Sequence, residues 1–116
     1  MDKKIQTKKI QTFEEFWPFY LGEHRNPLNR KMHFIGTALT FVIIALAWGL
    51  SDARVLISLP FVGYGFAWVG HFIVEKNRPA TFTYPLWSLA ADYKMFFMTL
   101  LGRMPTELQK AGVSQN

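Results

Sequence analysis

Three histidines and one glutamate are the residues of this sequence whose types and spacing could carry chemistry. His33 and His71 lie about 19 residues on either side of the Asp52-Ala53 pair. If a helical hairpin turns at that pair, the rise of about 1.5 Å per residue places the two imidazoles at nearly the same depth. Glu75 is one helical turn beyond His71, which lets both side chains reach a single ion.

The third histidine, His24, can join this pair only if the chain folds back before His33. On a straight helix the two imidazoles would lie on opposite faces. Asn26-Pro27 supplies the break, because the residue before a proline is disfavoured in the helical region. Asn29 can then cap a new helix that starts near Arg30. We therefore expect all three histidines and the glutamate to converge.

The absence of cysteine limits what such a group can do. It removes disulfides, thiolate metal sites and cysteine nucleophiles, so any metal must be held by His, Asp or Glu. Three imidazoles and a carboxylate suit Fe(II), Mn(II) or Zn(II), and iron is favoured if the chemistry is oxidative. Structural interpretations stay open, with His33 as an interfacial residue and Glu75 as the ion-pair partner of Arg30, Lys76 or Arg78.

Composition indicates the kind of protein that positions these residues. The chain has 116 residues, 50% hydrophobic and 18% charged, which is about one small domain and excludes disorder over most of its length. Residues 32–51 and 55–74 contain no Asp, Glu, Lys or Arg. Each run matches the roughly 20 residues that a helix needs to cross a bilayer. Despite a net charge of +5, little surface is left for nucleic acid, and we expect an integral membrane protein.

The first expected element of this all-α membrane bundle is an N-terminal interfacial helix. Thr12 and Glu15 have the spacing of a capping box, and Pro18 should bend the helix. Apolar residues then recur at helical intervals, as expected for an amphipathic helix in the membrane interface: Phe13, Phe16, Trp17, Tyr20 and Leu21.

The central element is a transmembrane hairpin. Its first span should cover about residues 30–50 and its second about residues 55–76, with a tight turn at 51–54. Bends are expected at Pro60, Gly63 and Gly65. Ionisable groups at membrane depth are costly and usually functional, which favours a shared metal or proton site at the histidines.

A third apolar or amphipathic helix is predicted over residues 85–101. Asp92 and Lys94 interrupt it, and we interpret Asp92 as a structural partner of Lys94 or Arg78. Its polar stripe either packs against the hairpin or lies in the interface: Ser88, Asp92, Met95 and Thr99.

Charge also predicts the domain organisation and the orientation. Residues 1–11 should form a flexible basic arm, residues 12–104 a single membrane helical domain, and residues 105–116 a polar tail. Basic residues flank the outer ends of the hairpin, whereas Arg54 alone lies in its turn. Both termini should therefore face the cytoplasm.

Two blocks of sequence resemble a known family. The first has the pattern Tyr-x3-His-x2-Pro-x-Asn-x3-His over residues 20–33, and the second has Gly-His-x3-Glu-Lys-x-Arg-Pro-Ala over residues 70–80. Together they resemble the membrane family that includes the fungal 2-hydroxy-palmitic acid dioxygenase. The resemblance covers about residues 13–102.

This resemblance implies an Fe(II)-dependent enzyme of fatty acid α-oxidation, which uses O2 to shorten a 2-hydroxy fatty acid by one carbon. It implies that His24, His33 and His71 are the motif histidines and that Glu75 is the motif carboxylate. These four are hence the expected catalytic metal site, with Glu75 as a fourth ligand or as an outer partner that orients a histidine. This chain is much shorter than the fungal pattern, with a four-residue turn where longer relatives carry additional membrane segments. Missing membrane helices would change the groove for the acyl chain, so the difference affects the predicted substrate more than the predicted metal site.

The expected partners are a 2-hydroxy fatty acid, O2 and the lipid bilayer, and a homo-oligomer stays open. Arg30 or Arg78 offers a forked match to a carboxylate, and Asn29 lies beside Arg30 as a third substrate-binding candidate. The acyl tail is expected in the bilayer among aromatic residues: Phe34, Trp68 and Phe72.

Two alternatives remain at the level of the sequence. A metal-dependent lipid hydrolase or hydroxylase would use the same site, and metal identity and O2 consumption separate it from a dioxygenase. A small membrane scaffold or lipid-binding protein would use the histidines structurally, and it would hold no stoichiometric metal.

Overall fold

The computed structural model describes residues 9–113, and within this range the chain is helical, without strands. Residues 1–8 of the expected basic arm and 114–116 of the expected tail lie outside the described residues. Three short turns supplement the helices: 3-10 turns at Ala53–Ile57 and Ala80–Phe82, and a π-helical turn at Gly70–Glu75. The α-helices are α1 (Phe13–Gly22), α2 (Pro27–Gly49), α3 (Ser58–Val69), α4 (Pro85–Leu100) and α5 (Met104–Lys110).

Helix α1 forms as its capping signal predicts, but its apolar face is covered by protein. The Thr12 hydroxyl accepts a hydrogen bond from the Glu15 backbone N–H at 3.1 Å. Phe16 is fully buried and its ring packs against that of Trp87 in α4. The Trp17 indole donates a 2.9 Å hydrogen bond to Glu107 of α5, within the residues predicted to form the tail. The apolar face of α1, which the sequence predicts to lie in the membrane interface, therefore packs in a protein core with α4 and α5.

Helix α2 begins earlier than the sequence predicts. Asn26 is its N-cap, with its side-chain oxygen accepting from the Leu28 N–H at 2.8 Å. Pro27 then occupies the first helical position, where a missing N–H costs nothing and the fixed φ suits the helix. The prediction that Asn29 caps this helix is wrong, and its side chain is instead buried inside the fold.

The hairpin turns where the sequence predicts, and its irregularities lie at its ends. Asp52 caps the turn by accepting from the Arg54 N–H at 3.0 Å. Helix α3 is a continuous α-helix through the three positions where bends are predicted. Pro60 lies in its first turn, where loss of one backbone donor is tolerated. The change in helical geometry occurs instead at the 3-10 turn before α3 and the π-helical turn after it.

Both arms of the hairpin are long and apolar enough to cross a membrane, by length and composition. They are Pro27–Gly49 and Ala53–Glu75, with 23 residues each. Only 28% and 17% of their most apolar stretches are buried within the protein. Trp48 and Phe61 are 84% and 75% exposed. A core helix of a water-soluble protein would bury most of this surface.

Helix α4 packs between α1 and the hairpin. Of the two arrangements predicted for its polar stripe, packing against the hairpin is therefore the one found. The rings of Phe34 in α2 and Phe96 in α4 stack with centroids 4.7 Å apart. The Tyr93 hydroxyl and the Thr40 hydroxyl lie 2.8 Å apart in a hydrogen bond. Asp92 of the stripe consequently faces the hairpin and not the solvent.

The closest approach within the hairpin gives a test of the packing. A Cβ at Gly70 would lie 1.9 Å from the Asn29 side-chain oxygen, whereas a Cβ at Gly65 meets nothing within 4 Å. Asn29 is 0% exposed and has no room to withdraw. We expect Gly70→Ala to destabilise the protein by about 1–3 kcal/mol. Gly65→Ala should be neutral or slightly stabilising.

Thermal unfolding of both variants in mild detergent, followed by circular dichroism, measures the difference. Equal unfolding temperatures for the two variants would show that the Asn29–Gly70 contact is looser than described.

Candidate metal centre

The three histidines meet although they come from three separate segments. His24 lies in the loop between α1 and α2, His33 in α2, and His71 in the π-helical turn, and they are 1%, 5% and 2% exposed. The ring centroids of His33 and His71 are 4.9 Å apart, which confirms the depth match predicted from the hairpin. His24 is 4.4 Å from each of them. The interruption of the helix before α2 therefore lets the chain fold back, so that His24 contacts the other two imidazoles.

Each imidazole presents its Nδ1 atom to an oxygen acceptor. For His24 this is the Tyr20 carbonyl oxygen at 2.6 Å, and for His71 it is the Asn77 side-chain oxygen at 2.7 Å. For His33 it is a carboxylate oxygen of Asp92 at 3.5 Å. A neutral imidazole that donates from Nδ1 keeps a lone pair on Nε2. The acceptors of His24 and His71 favour an Nδ1 proton on each of these rings, and the Asp92 carboxylate lies on the Nδ1 side of His33.

The inward atoms are close enough to share one cation. His24 Nε2 and His33 Nε2 lie 3.2 Å apart, a separation that suits a shared proton or two ligands of one cation. One nitrogen from each histidine lies within 4.8 Å of the others. The arrangement fits a divalent metal held by three neutral nitrogen donors.

The protonation states of the flanking groups agree with this arrangement. Burial, reinforced by the neighbouring His33 and His71, lowers the pKa of His24 well below its usual range. Burial and the charge of Asp92 raise the pKa of the Tyr20 hydroxyl well above its usual range. His24 is thus neutral, the form that binds metals, and Tyr20 keeps its proton as a donor.

Asp92 is a site residue that the sequence interpretation misses. The prediction that it pairs with Lys94 or Arg78 is wrong, because its carboxylate accepts from the Tyr20 hydroxyl and lies beside His33. Residues two apart on a helix point to different sides, and the Lys94 ammonium lies over the Trp17 ring at 4.4 Å. The signal that could have found Asp92 was its place on the buried stripe of α4.

Glu75 lies apart from the nitrogen donors. It accepts from the Asn26 backbone N–H and from the Asn29 amide at 3.4 Å, and so ties the end of the hairpin to its start. The group of potential metal ligands found in the described residues contains the three histidines without Glu75. The Glu75 carboxylate is held instead by Asn26 and Asn29 at the start of α2, although His71 and Glu75 share one π-helical turn.

Asn77 is the second site residue that sequence interpretation misses. Lys76 has a φ of 60°, in the left-handed region, and this ends the π-helical turn. The chain then reverses, and the Asn77 N–H donates to the His71 carbonyl at 2.9 Å. Its side-chain amide donates to the Glu23 carbonyl at 3.0 Å, which leaves the amide oxygen for His71 Nδ1.

The three residues predicted to bind the substrate lie in three different environments. Asn29 is buried, and its side-chain oxygen has no hydrogen-bond partner among residues 9–113. The Arg30 guanidinium donates to the carbonyl oxygens of His24 and Arg25, at 2.8 and 2.9 Å. The Arg78 guanidinium lies over the Phe82 ring, 5.1 Å from its centroid. Arg30 thus contacts the His24 loop directly.

Comparison with known proteins gives one match. The family described as 2-hydroxy-palmitic acid dioxygenase Mpo1-like matches residues 10–104, a range that includes the three histidines, Asn77 and Asp92. No curated protein and no solved structure matches the chain. The chain belongs to the 2-hydroxy-palmitic acid dioxygenase Mpo1-like family.

Proposed function

We propose that this protein is an Fe(II)-dependent membrane dioxygenase that shortens 2-hydroxy fatty acids by one carbon. The observation that carries the proposal is the set of three buried imidazoles, each with Nδ1 turned to an oxygen acceptor and one nitrogen turned inward. The family supplies the reaction class. Atoms and electrons balance without a further reductant if O2 and the 2-hydroxy acid yield the shorter acid, carbon dioxide and water.

His24, His33 and His71 would hold the metal, and the groups behind them would orient it. Bound iron would supply reactivity toward O2 and a Lewis-acidic site for the oxygen groups of the substrate. Asp92 holds the ring of His33 and Asn77 that of His71, as outer partners of metal-binding histidines commonly do. The Tyr20 hydroxyl keeps the Asp92 carboxylate in place, and burial of all three imidazoles excludes bulk water.

Glu75 and the arginines have supporting roles in this proposal. Glu75 joins the two ends of the hairpin and thereby keeps His33 and His71 level, so we assign it to positioning. Arg30 acts in the same way on the His24 loop through two backbone carbonyls. Arg78 remains the candidate for the substrate carboxylate, since guanidinium matches that group in a forked geometry.

We also propose that both arms of the hairpin cross the bilayer with both termini on the cytoplasmic side. The exposed apolar surface of the two arms supports insertion, because water-soluble proteins rarely leave such continuous surfaces uncovered. The excess of Lys and Arg at the open end of the hairpin supports the orientation. The histidine centre then lies at the cytoplasmic interface, where a fatty acid carboxylate also lies.

Metal retention tests the donor set. Single alanine changes at His24, His33 or His71 should each abolish iron binding while helical content is kept. Asp92→Asn should weaken iron affinity by roughly 10–100-fold, because the outer partner of His33 is altered. Lys94→Gln is the matched control, since it lies on the same helix but points away, and it should bind iron normally.

The measurement is elemental analysis of purified protein together with competition by a chelator. Full iron occupancy in all three alanine variants would refute the donor set and would leave a scaffold or lipid-binding protein.

Topology can be read from single cysteines, since the chain has none of its own. Ala53→Cys in the turn and Gln109→Cys in α5 are both at exposed positions. A membrane-impermeant maleimide should label them from opposite faces of sealed vesicles. Labelling of both from one face would mean that the hairpin does not span the bilayer.

Activity is tested with Fe(II), air and a long-chain 2-hydroxy fatty acid. Mass spectrometry should detect the acid one carbon shorter, and the product should disappear under argon and in His71→Ala. Product formed equally without O2 would instead favour a hydrolase that uses the same metal.

A further inference from the structure

A cavity of about 300 Å³ opens next to the histidine centre. It lies between α2, α3 and α4, and His33 and Asp92 form part of its wall. Most of the remaining wall is apolar or small, with Ala67, Gly63 and Leu89 among its members. The candidate metal centre is therefore continuous with an internal apolar space.

The direction of the cavity follows from its lining. His33, Thr37 and Thr40 follow one another on one face of α2, over two helical turns or roughly 10 Å. The cavity thus runs from the histidine centre toward the turn of the hairpin. The hydrogen bond between the Thr40 and Tyr93 hydroxyls lies along its wall, and Leu59 and Pro60 line the end nearer the turn.

Gly63 keeps the middle of this cavity open without a packing requirement. A Cβ there would meet only Thr40 Cγ2, at an ordinary 3.6 Å. At Gly36, by contrast, a Cβ would lie 3.1 Å from Phe66 Cβ, so that glycine is needed for helix contact. The space beside Gly63 is available for another molecule.

We propose that this cavity binds the hydrocarbon chain of the 2-hydroxy acid, an inference that rests on the proposed function. The polar end of the acid lies at the histidine centre, near His33, and the methylene groups run along α2 toward the Thr40–Tyr93 bond and the turn of the hairpin. At ~30 Å³ for a group of the size of water, the volume holds roughly ten such groups. The end of a longer chain must therefore pass this bond and reach the lipid.

Other apolar surfaces fit this role less well. A second depression, lined by Phe61, Val62 and Val69 among others, contains none of the residues of the histidine centre. The acyl tail is expected from the sequence among Phe34, Trp68 and Phe72, but these residues do not line the cavity. Trp68 and Phe72 are 39% and 50% exposed. Neither surface shares a wall with His33 as the cavity does.

Photolabelling distinguishes the cavity from the outer surface without relying on turnover. The probe is 2-hydroxyhexadecanoic acid with a diazirine near its carboxyl end, added to the whole protein in lipid nanodiscs. Labelling should fall on Thr37, Tyr64 and Ala67 and should be displaced by unlabelled 2-hydroxy acid. Labelling confined to Phe61, Val62 or Phe72 would overturn the inference.

A matched pair of variants gives the second test. Gly63→Leu should fill the cavity and raise KM for a long-chain acid by roughly tenfold, the loss from about two buried methylene groups. Iron content should be unchanged. Gly65→Leu, on a position with open space around it, should behave as the unchanged protein. A folded, iron-loaded Gly63→Leu with unchanged chain-length preference would contradict the cavity.

If Gly63→Leu fails to fold, Thr37→Leu obstructs the same space from α2, and the same shift in chain-length preference is expected. Displaceable labelling of the cavity without O2-dependent product would support the cavity and contradict the dioxygenase. Turnover with labelling only on the outer surface would contradict the cavity and leave the dioxygenase standing.

Discussion

The contacts at imidazole Nδ1, two hydrogen bonds and one ion-pair contact, are the interactions on which the histidine centre depends. Their acceptors come from three places, the end of α1, the buried face of α4 and the loop after the hairpin. Each acceptor fixes both the tautomer and the orientation of one ring. The centre therefore exists only when α1 and α4 are docked on the hairpin. The carbonyl of Tyr20 and the side chains of Asp92 and Asn77 thus connect the fold to the chemistry.

The hairpin sets the depth at which His33 and His71 meet. The irregular helical geometry at its end sets the orientation of the side chains there. Small residues let α2 approach its partner segment closely, as at Gly36 and Gly70. The π-helical turn then aims His71 inward and Glu75 toward Asn29. Departures from regular helix often mark functional positions, and here the π-helical turn and the left-handed residue Lys76 lie directly at the centre.

The two halves of the molecule bury different kinds of surface. Aromatic and apolar residues of α1, α4 and α5 form the principal core, whereas the hairpin leaves most of its apolar surface outside. The histidines lie at the junction of these halves. A cavity begins at this junction and runs between the helices, so its apolar wall is continuous with the nitrogen donors of the histidine centre. A substrate with a long hydrocarbon chain and a polar end would match both parts.

The sequence by itself determined the helical class, the hairpin and the convergence of the three histidines. Apolar periodicity, the proline break and equal spacing about a turn are local features, and helix geometry converts them directly into depth. Only the tertiary structure decided the partners of these histidines. Asp92 faces His33 because α4 crosses the hairpin, and Glu75 lies outside the donor set because Asn26 and Asn29 of the neighbouring segment hold its carboxylate. Helix docking and turn geometry depend on contacts between distant segments, which local periodicity does not encode.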